Sequence, residues 1–309
     1  MEMKKINMEK MKFVKTPIRC PGGKSKALDF LIPHVPLHEK YIECFLGGGS
    51  MFLRLAQIYP DRDYHINDLF FPTYAFWKTL HEQPMTMLNY ILQKKNEYIV
   101  DRHEIEVKGT ATKSAENGKR LHTWCRQEIE SKIKEGDEFH TACLWYILNK
   151  TSFSGMAMIG SYAKLAWDQN FTDNCILNLP KVSKIMRGVK SLRITNEDYS
   201  TLLTTPTDKD AFIFCDPPYD IKDNLYGNNG DMHRGFDHQK FGEDVIKCNH
   251  KWMITYNDNP TLVDRFKAYK QVPWYLQYTM KAAKRIQSDG STASVKSGKK
   301  GKELLVLNY

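Results

Sequence analysis

The residues best equipped for chemistry are Asp216-Pro217-Pro218-Tyr219, which directly follow the apolar run Phe212-Ile213-Phe214-Cys215. Such a run reads as a buried strand of a parallel sheet, and ligands of open sheets bind beyond the carboxyl ends of strands, where this tetrapeptide falls. Consecutive prolines fix the backbone and remove two amide donors, so the Pro217 carbonyl can face a ligand without local competition. The Asp216 carboxylate offers a second acceptor beside it. Two adjacent acceptors suit an exocyclic amine on a nucleobase, whose lone pair is delocalised into the ring. Holding both hydrogens draws that pair back onto nitrogen for attack on an electrophile. Tyr219 adds a ring face on which an extruded base can stack. Taken alone, the motif is also compatible with a structural Pro-Pro turn.

Two glycine segments accompany it. Tyr41-Ile42-Glu43-Cys44-Phe45-Leu46-Gly47-Gly48-Gly49 is a strand running into a glycine turn, where backbone can approach a cofactor closely and open a helix. It lacks the GxGxxG spacing of a dinucleotide site, and by itself it is equally a tight strand-to-helix turn. Asp68, at the end of the next strand, is placed either to accept ribose hydroxyls or to cap a helix. Pro21-Gly22-Gly23-Lys24-Ser25 imitates the end of a phosphate loop. That loop requires glycine at position 18, which is Ile, and no clear strand precedes it, so both features argue against an NTPase.

The elements that must position these residues follow from periodicity. Lys40 to Leu46 and Tyr64 to Asn67 read as strands, joined by a helix over Ser50 to Tyr59, and another helix opens near Pro72. From about Thr79 to Asn178 strand signals fade. Amphipathic stretches appear at Met85 to Val100, Leu121 to Lys134 and Glu138 to Ser152, with polar Gly109 to Arg120 read as a loop. Alternation then resumes with strands Leu192 to Thr195, Ala211 to Cys215 and Trp252 to Tyr256, and helices His238 to Cys248 and Thr261 to Ala268. Val272 to Met280 and Glu303 to Asn308 read as paired strands. The expected fold is an α/β sheet from residues 1–78 and 179–309, interrupted by a mainly helical insertion at 79–178.

Forty-five Lys and Arg against 36 Asp and Glu give a net charge of +9, which suits a polyanionic partner such as nucleic acid and is equally compatible with a merely soluble basic protein. Met1 to Lys12 lacks the apolar core of a signal peptide, and no apolar run reaches membrane-spanning length. The seven cysteines form no CxxC pair, so neither a metal site nor a disulfide framework is expected, and the cytoplasm is the natural compartment.

In order and spacing, these pieces resemble the Dam-type (group alpha) family of N6-adenine DNA methyltransferases, in which the cofactor motif precedes a recognition insertion and DPPY follows it. Pro17 to Lys26 resembles the family's GGK motif, Tyr41 to Phe52 its cofactor loop and Ile66-Asn67-Asp68-Leu69 its ribose-binding strand end. Leu148-Asn149-Lys150 and Phe153-Ser154-Gly155 resemble the recognition segment, and Lys302 to Tyr309 the closing strand. The resemblance implies a Rossmann-like methyltransferase sheet, S-adenosylmethionine as donor (leaving as S-adenosylhomocysteine), and double-stranded DNA as substrate. Transfer would be in line, without metal and without a covalent enzyme intermediate. A cognate restriction endonuclease would be a compatible partner. By the same resemblance, Cys20, Gly22, Gly23, Lys24, Asp68 and Asp216 lie at the cofactor with the Gly47-Gly48-Gly49 turn. Glu43 and Phe45 line its methionine end, and Asp198 and Tyr199 its adenine end. Local alternatives stay open: Lys24 contacting DNA, Glu43 holding the glycine turn, Asp198 capping a helix.

Three positions depart from the family pattern. Cys20 stands where an aromatic residue is usual, Cys44 replaces a proline, and Met158 falls where GATC-directed members carry a guanine-reading arginine. That arginine pair is worth roughly 1–3 kcal/mol of discrimination, so GATC specificity is not carried over. Asn149, Lys150, Phe153 and Ser154 are the expected base-reading residues. Lys296, Lys299 and Lys300, in a basic stretch between Lys281 and Lys302, either contact phosphates or form a solvated tip. Leu225 to Asp237, after DPPY, either closes over the flipped base or is an ordinary polar loop. N4-cytosine methylation poses the same problem of an exocyclic amine and is the rival activity; an inactive DNA-binding protein of this fold is the rival of another class.

Overall fold

The computed structural model describes residues 12–99, 111–207, 209–219, 235–277, 285–286, 292–293 and 300–309. In chain order the strands are β1 (Lys40–Glu43), β2 (Asp63–Asn67), β3 (Ser191–Thr195), β4 (Ala211–Cys215), β5 (Lys251–Asn257), β6 (Lys270–Gln277), β7 (Arg285–Ile286), β8 (Thr292–Ala293) and β9 (Lys300–Leu307). The helices are α1 (Leu28–Leu31), α2 (Ser50–Ile58), α3 (Phe71–Glu82), α4 (Pro84–Tyr98), α5 (Ala111–Glu135), α6 (Glu138–Thr151), α7 (Lys164–Asn170), α8 (Asp173–Ile176), α9 (Leu179–Arg187), α10 (Tyr199–Thr204), α11 (His238–Lys247) and α12 (Pro260–Arg265).

Seven strands form one sheet in the order β3-β2-β1-β4-β5-β9-β6. The first five are parallel, and β9 runs antiparallel to both β5 and β6. This is the Rossmann-like sheet that the resemblance implies, and the order reverses between β1 and β4. The central strands β2 and β4 are buried along their whole length, as a strand covered on both faces must be, whereas the edge strand β3 is largely open. Pro273 is tolerated in β6 because that strand is the other edge.

Strand alternation separates two cores. Tyr41, Phe212, Phe214, Met253 and Leu305 pack on one side with α2 and α3, while Ile42, Ile213, Ile254 and Val306 pack on the other with α10, α11 and α12. The first core continues into α6, whose residues Thr141 to Thr151 are all buried. A helix apolar all round belongs inside, and Asp137 caps it by accepting from His140 N at 3.0 Å. Phe76 of α3 stacks on Tyr146 of α6 at 5.6 Å between ring centroids.

One expectation is corrected. Polar 111–120, read as a loop, opens the 25-residue helix α5. Leu121, Cys125 and Ile129, spaced by four and fully buried, seat that helix, and its Ala, Lys, Glu and Arg residues favour extending it toward the N-terminus. Gly118 is required by contact rather than by a turn: a Cβ there would meet Trp167 Cδ2 and the Tyr162 hydroxyl, each at 2.5 Å. Between α3 and α9 no strand occurs among the described residues; Ser152 and Tyr162 form only an isolated bridge.

Candidate active site

Because β1 and β4 are neighbours, the glycine turn and Asp216-Pro217-Pro218-Tyr219 leave the same edge of the sheet side by side, at the switch point. Between them lies a cavity of about 790 Å³. Its walls include Cys20, Gly22, Gly23, Lys24, Glu43, Phe45, Gly47, Gly48, Gly49, Asp68, Asp198, Tyr199, Asp216 and Pro218. The expected cofactor residues are therefore brought together. Pro217 and Tyr219 are not part of that lining.

The glycine turn is held from three sides. Asp68 accepts from Gly47 N at 2.7 Å and from Phe70 N at 2.9 Å, so its carboxylate organises both the turn and the entry to α3. Trp77 donates its indole N–H to Gly47 O at 3.1 Å. Glu43, fully buried, accepts from the Tyr41 hydroxyl at 2.7 Å and from Phe52 N at 3.0 Å. Asn67, named in the Ile66-Asn67-Asp68-Leu69 strand end without a role of its own, spans three strand ends: it donates to Cys44 O and Glu197 O and accepts from the Thr195 hydroxyl and Glu197 N.

Burial, reinforced by Asp216 and Asp68 and opposed by its two hydrogen bonds, pushes the Glu43 carboxyl up to about 8 from an ordinary 4.5. Burial likewise pushes Asp68 up to about 6, against the two amides it accepts from. A carboxyl raised in the folded state binds more protons there than in the unfolded chain. Its stabilising contribution is complete below the unfolded pKa and is lost as pH rises through the folded one. Glu43→Gln, whose amide oxygen can keep both hydrogen bonds, is therefore expected to gain stability relative to wild type between about pH 5 and about pH 8. Urea denaturation at the two pH values checks this; parallel behaviour of the two proteins would contradict it.

At the Asp216-Pro217-Pro218-Tyr219 motif, Lys24 is only 3% exposed and its ammonium lies 2.7 Å from Asp216 Oδ1 and 2.8 Å from Oδ2, while also donating to Gly22 O at 2.9 Å. Thr255, on β5, donates its hydroxyl to Asp216 Oδ1 at 2.7 Å. The Tyr219 hydroxyl donates to the buried Glu303 of β9. The Tyr219 ring stacks on Tyr256 at 5.8 Å, and Lys24 lies 4.8 Å from its centroid. Thr255 and Glu303 were not identified from the sequence; the usable signals were a hydroxyl inside the otherwise apolar run Trp252 to Tyr256 and a carboxylate directly before the apolar run Leu304 to Leu307.

Phe45, expected at the methionine end, lies 5.5 Å from the Tyr199 ring and 5.7 Å from Phe236, so the structure joins it in one aromatic cluster with the residue expected at the adenine end. Asp198 caps α10 through Ser200 N at 3.0 Å and also lines the cavity, so capping and ligand contact are compatible. Cys20, where an aromatic residue was expected, has a thiol pushed up to about 12 by burial and by Asp68 and Asp216; it is a neutral wall rather than a nucleophile.

Of the four residues expected to read bases, two lie in the interior. Asn149 is buried and bonded to Arg19 N and O and to Gly155 O, tying the N-terminal segment to the insertion. Lys150 is buried with its ammonium 5.5 Å from the Tyr146 ring centroid, and burial lowers it to about 8. Neither presents its side chain at the surface. Phe153 does, at 45% exposure, beside Ser154, whose φ of 53° marks a tight turn. Met158 lines the cavity. Lys296 and Lys299 lie outside the described residues, as does most of Leu225 to Asp237; Lys300 opens β9.

Residues 21–280 match the D12 class N6 adenine-specific DNA methyltransferase family. Among curated proteins, the chain is similar to the type II methyltransferase M.MjaIII of Methanocaldococcus jannaschii, with 22% identity over 219 residues, covering 67% of this chain and 69% of that protein. It is also similar to a DNA N-6-adenine-methyltransferase of Escherichia phage P1, with 19% identity over 215 residues; this covers 70% of the chain but only 25% of the phage protein. A match over most of the chain agrees with the motif order and with the cleft at the switch point: the protein belongs to the D12 class of N6 adenine-specific DNA methyltransferases.

Proposed function

We propose that the switch-point cavity binds S-adenosylmethionine and that Asp216 and the Pro217 carbonyl accept the two hydrogens of an adenine N6 amine extruded from double-stranded DNA. The observation that carries this reading is the Asp216 carboxylate, fixed by Lys24 and Thr255 in the lining of a cavity walled also by a glycine turn, the further carboxylates Glu43, Asp68 and Asp198 and an aromatic cluster. The cradle fits such a ligand because Gly47, Gly48 and Gly49 line it with backbone and no side chain. Asp68 and Asp198 are the acceptors for sugar and base amine, and Phe45, Tyr199 and Phe236 form the stacking wall.

When bound, the cofactor supplies an electrophilic methyl group and leaves as S-adenosylhomocysteine. The two acceptors of the motif localise the amine lone pair and align it with that methyl. As the nitrogen–carbon bond forms, the amine sheds a proton, for which the Asp216 carboxylate is the adjacent acceptor. Tyr219, braced by Tyr256 and Glu303, offers its edge and remaining surface to the base. Residues 1–78 and 179–309 act as the catalytic part and 79–178 as target recognition, with Phe153 and Ser154 facing DNA and Lys296, Lys299 and Lys300 holding phosphates. A cognate restriction endonuclease is the partner that a type II setting adds.

The cofactor half is tested by Asp198→Asn. Asparagine caps a helix as well as aspartate does, so α10 is retained, but the second side-chain acceptor becomes a donor. Titration calorimetry with S-adenosylhomocysteine is expected to show Kd raised about tenfold, the loss of one charge-assisted bond. An unchanged Kd would remove Asp198 from the binding site.

A further inference from the structure

We infer that Thr255 is a positioning residue for methyl transfer, selecting which oxygen of Asp216 meets the target amine. The inference rests on the reading of Asp216 as an amine acceptor. The ammonium of Lys24 is nearly equidistant from the two carboxylate oxygens, at 2.7 and 2.8 Å, and so does not distinguish them. The Thr255 hydroxyl does, by donating to Oδ1 alone at 2.7 Å. Oδ1 then carries two donors and Oδ2 one, so Oδ2 keeps the lone pair for the amine hydrogen.

The placement gives this bond rigidity that Lys24 cannot provide. Thr255 is fully buried in β5, between β4 and β9, in register with Leu305. Its β-branched side chain has few rotamers in a strand. Lysine, in contrast, is a point charge on a flexible stem and leaves the carboxylate free to rotate. Met253, two residues earlier on the same face, packs in the apolar core, so the Thr255 hydroxyl is a buried polar group whose partner is the catalytic carboxylate. Its action is through Asp216, without contact to substrate.

The test compares Thr255→Val and Thr255→Ser in the full-length protein, with steady-state methylation of duplex DNA and Asp216→Asn as control. The valine variant is expected to lose about 10- to 100-fold in kcat while KM for DNA and for cofactor stay within about twofold. The serine variant, which restores the hydroxyl but not the methyl, is expected to recover to within about threefold of wild type. Wild-type kcat in Thr255→Val, serine no better than valine, or a rise confined to KM would each overturn the inference. Should the valine variant lose its folding transition, Thr255→Ala with the same serine comparison decides the matter. Full activity of Asp216→Asn would instead show that the reading of Asp216 is wrong and overturn both; an inactive Asp216→Asn beside a fully active Thr255→Val overturns only the role of Thr255.

Discussion

Asp216→Asn is expected to lower the methylation rate by about 10³-fold, the upper range for loss of one preorganised hydrogen-bonding group at a reacting centre. The geometry explains why an isosteric change is so costly. Thr255 and Lys24 both donate to the carboxylate, so an asparagine there turns its oxygen toward them and its NH₂ toward the ligand. Donor would then face the donor hydrogens of the amine, and the lone pair would no longer be drawn onto nitrogen. The substitution also leaves the buried Lys24 without its counter-charge; breaking a fully buried pair costs about 3–5 kcal/mol, an upper limit here because Asp216 is 19% exposed. Thermal unfolding and DNA binding therefore accompany the rate measurement. A folded, DNA-binding Asp216→Asn protein with near wild-type turnover would contradict the assignment.

The largest expected effect on stability is at Gly49. Its φ of +60° places it in the left-handed region, and a Cβ there would lie 2.6 Å from Trp77 Cζ2. Trp77 is fully buried and its indole is bonded to Gly47 O, so it cannot swing aside. Left-handed strain of about 1–2 kcal/mol and overpacking of about 1–3 kcal/mol together predict a loss of about 2–5 kcal/mol for Gly49→Ala. Gly48→Ala is expected to be milder, because its Cβ would meet only the Cys20 Cβ at 3.1 Å. Urea denaturation of both variants provides the measurement. A shift within about 0.5 kcal/mol for Gly49→Ala, the range of an ordinary surface change, would rule this account out.

What the sequence made legible and what it left hidden divide along chain distance. Strand periods, the glycine turn and the apolar run before Asp216 are local patterns, and each strand read from them recurs within a few residues of its expected bounds. The two final strands also pair as expected, apart from 278–280, which lie outside the described residues. The contacts that define the site are not local: Lys24 meets Asp216 across 192 positions, and Asn149 meets Arg19 across 130. Motif likeness brought Asn149 and Lys150 to attention, yet burial assigns them to the interior, because an amide fully engaged by backbone and an ammonium over an aromatic ring have no side-chain donor displayed to DNA. The polar start of α5 misled for a related reason. Composition suggested a loop, whereas packing of Leu121, Cys125 and Ile129 carried the helix through it.

The central claim is that the acceptor is the exocyclic amine of adenine. The most direct measurement incubates the protein with duplex DNA and isotopically labelled S-adenosylmethionine, digests the product to nucleosides and identifies the labelled species by mass spectrometry. The account predicts label in N6-methyldeoxyadenosine; label in N4-methyldeoxycytidine, or in no nucleoside at all, would contradict it.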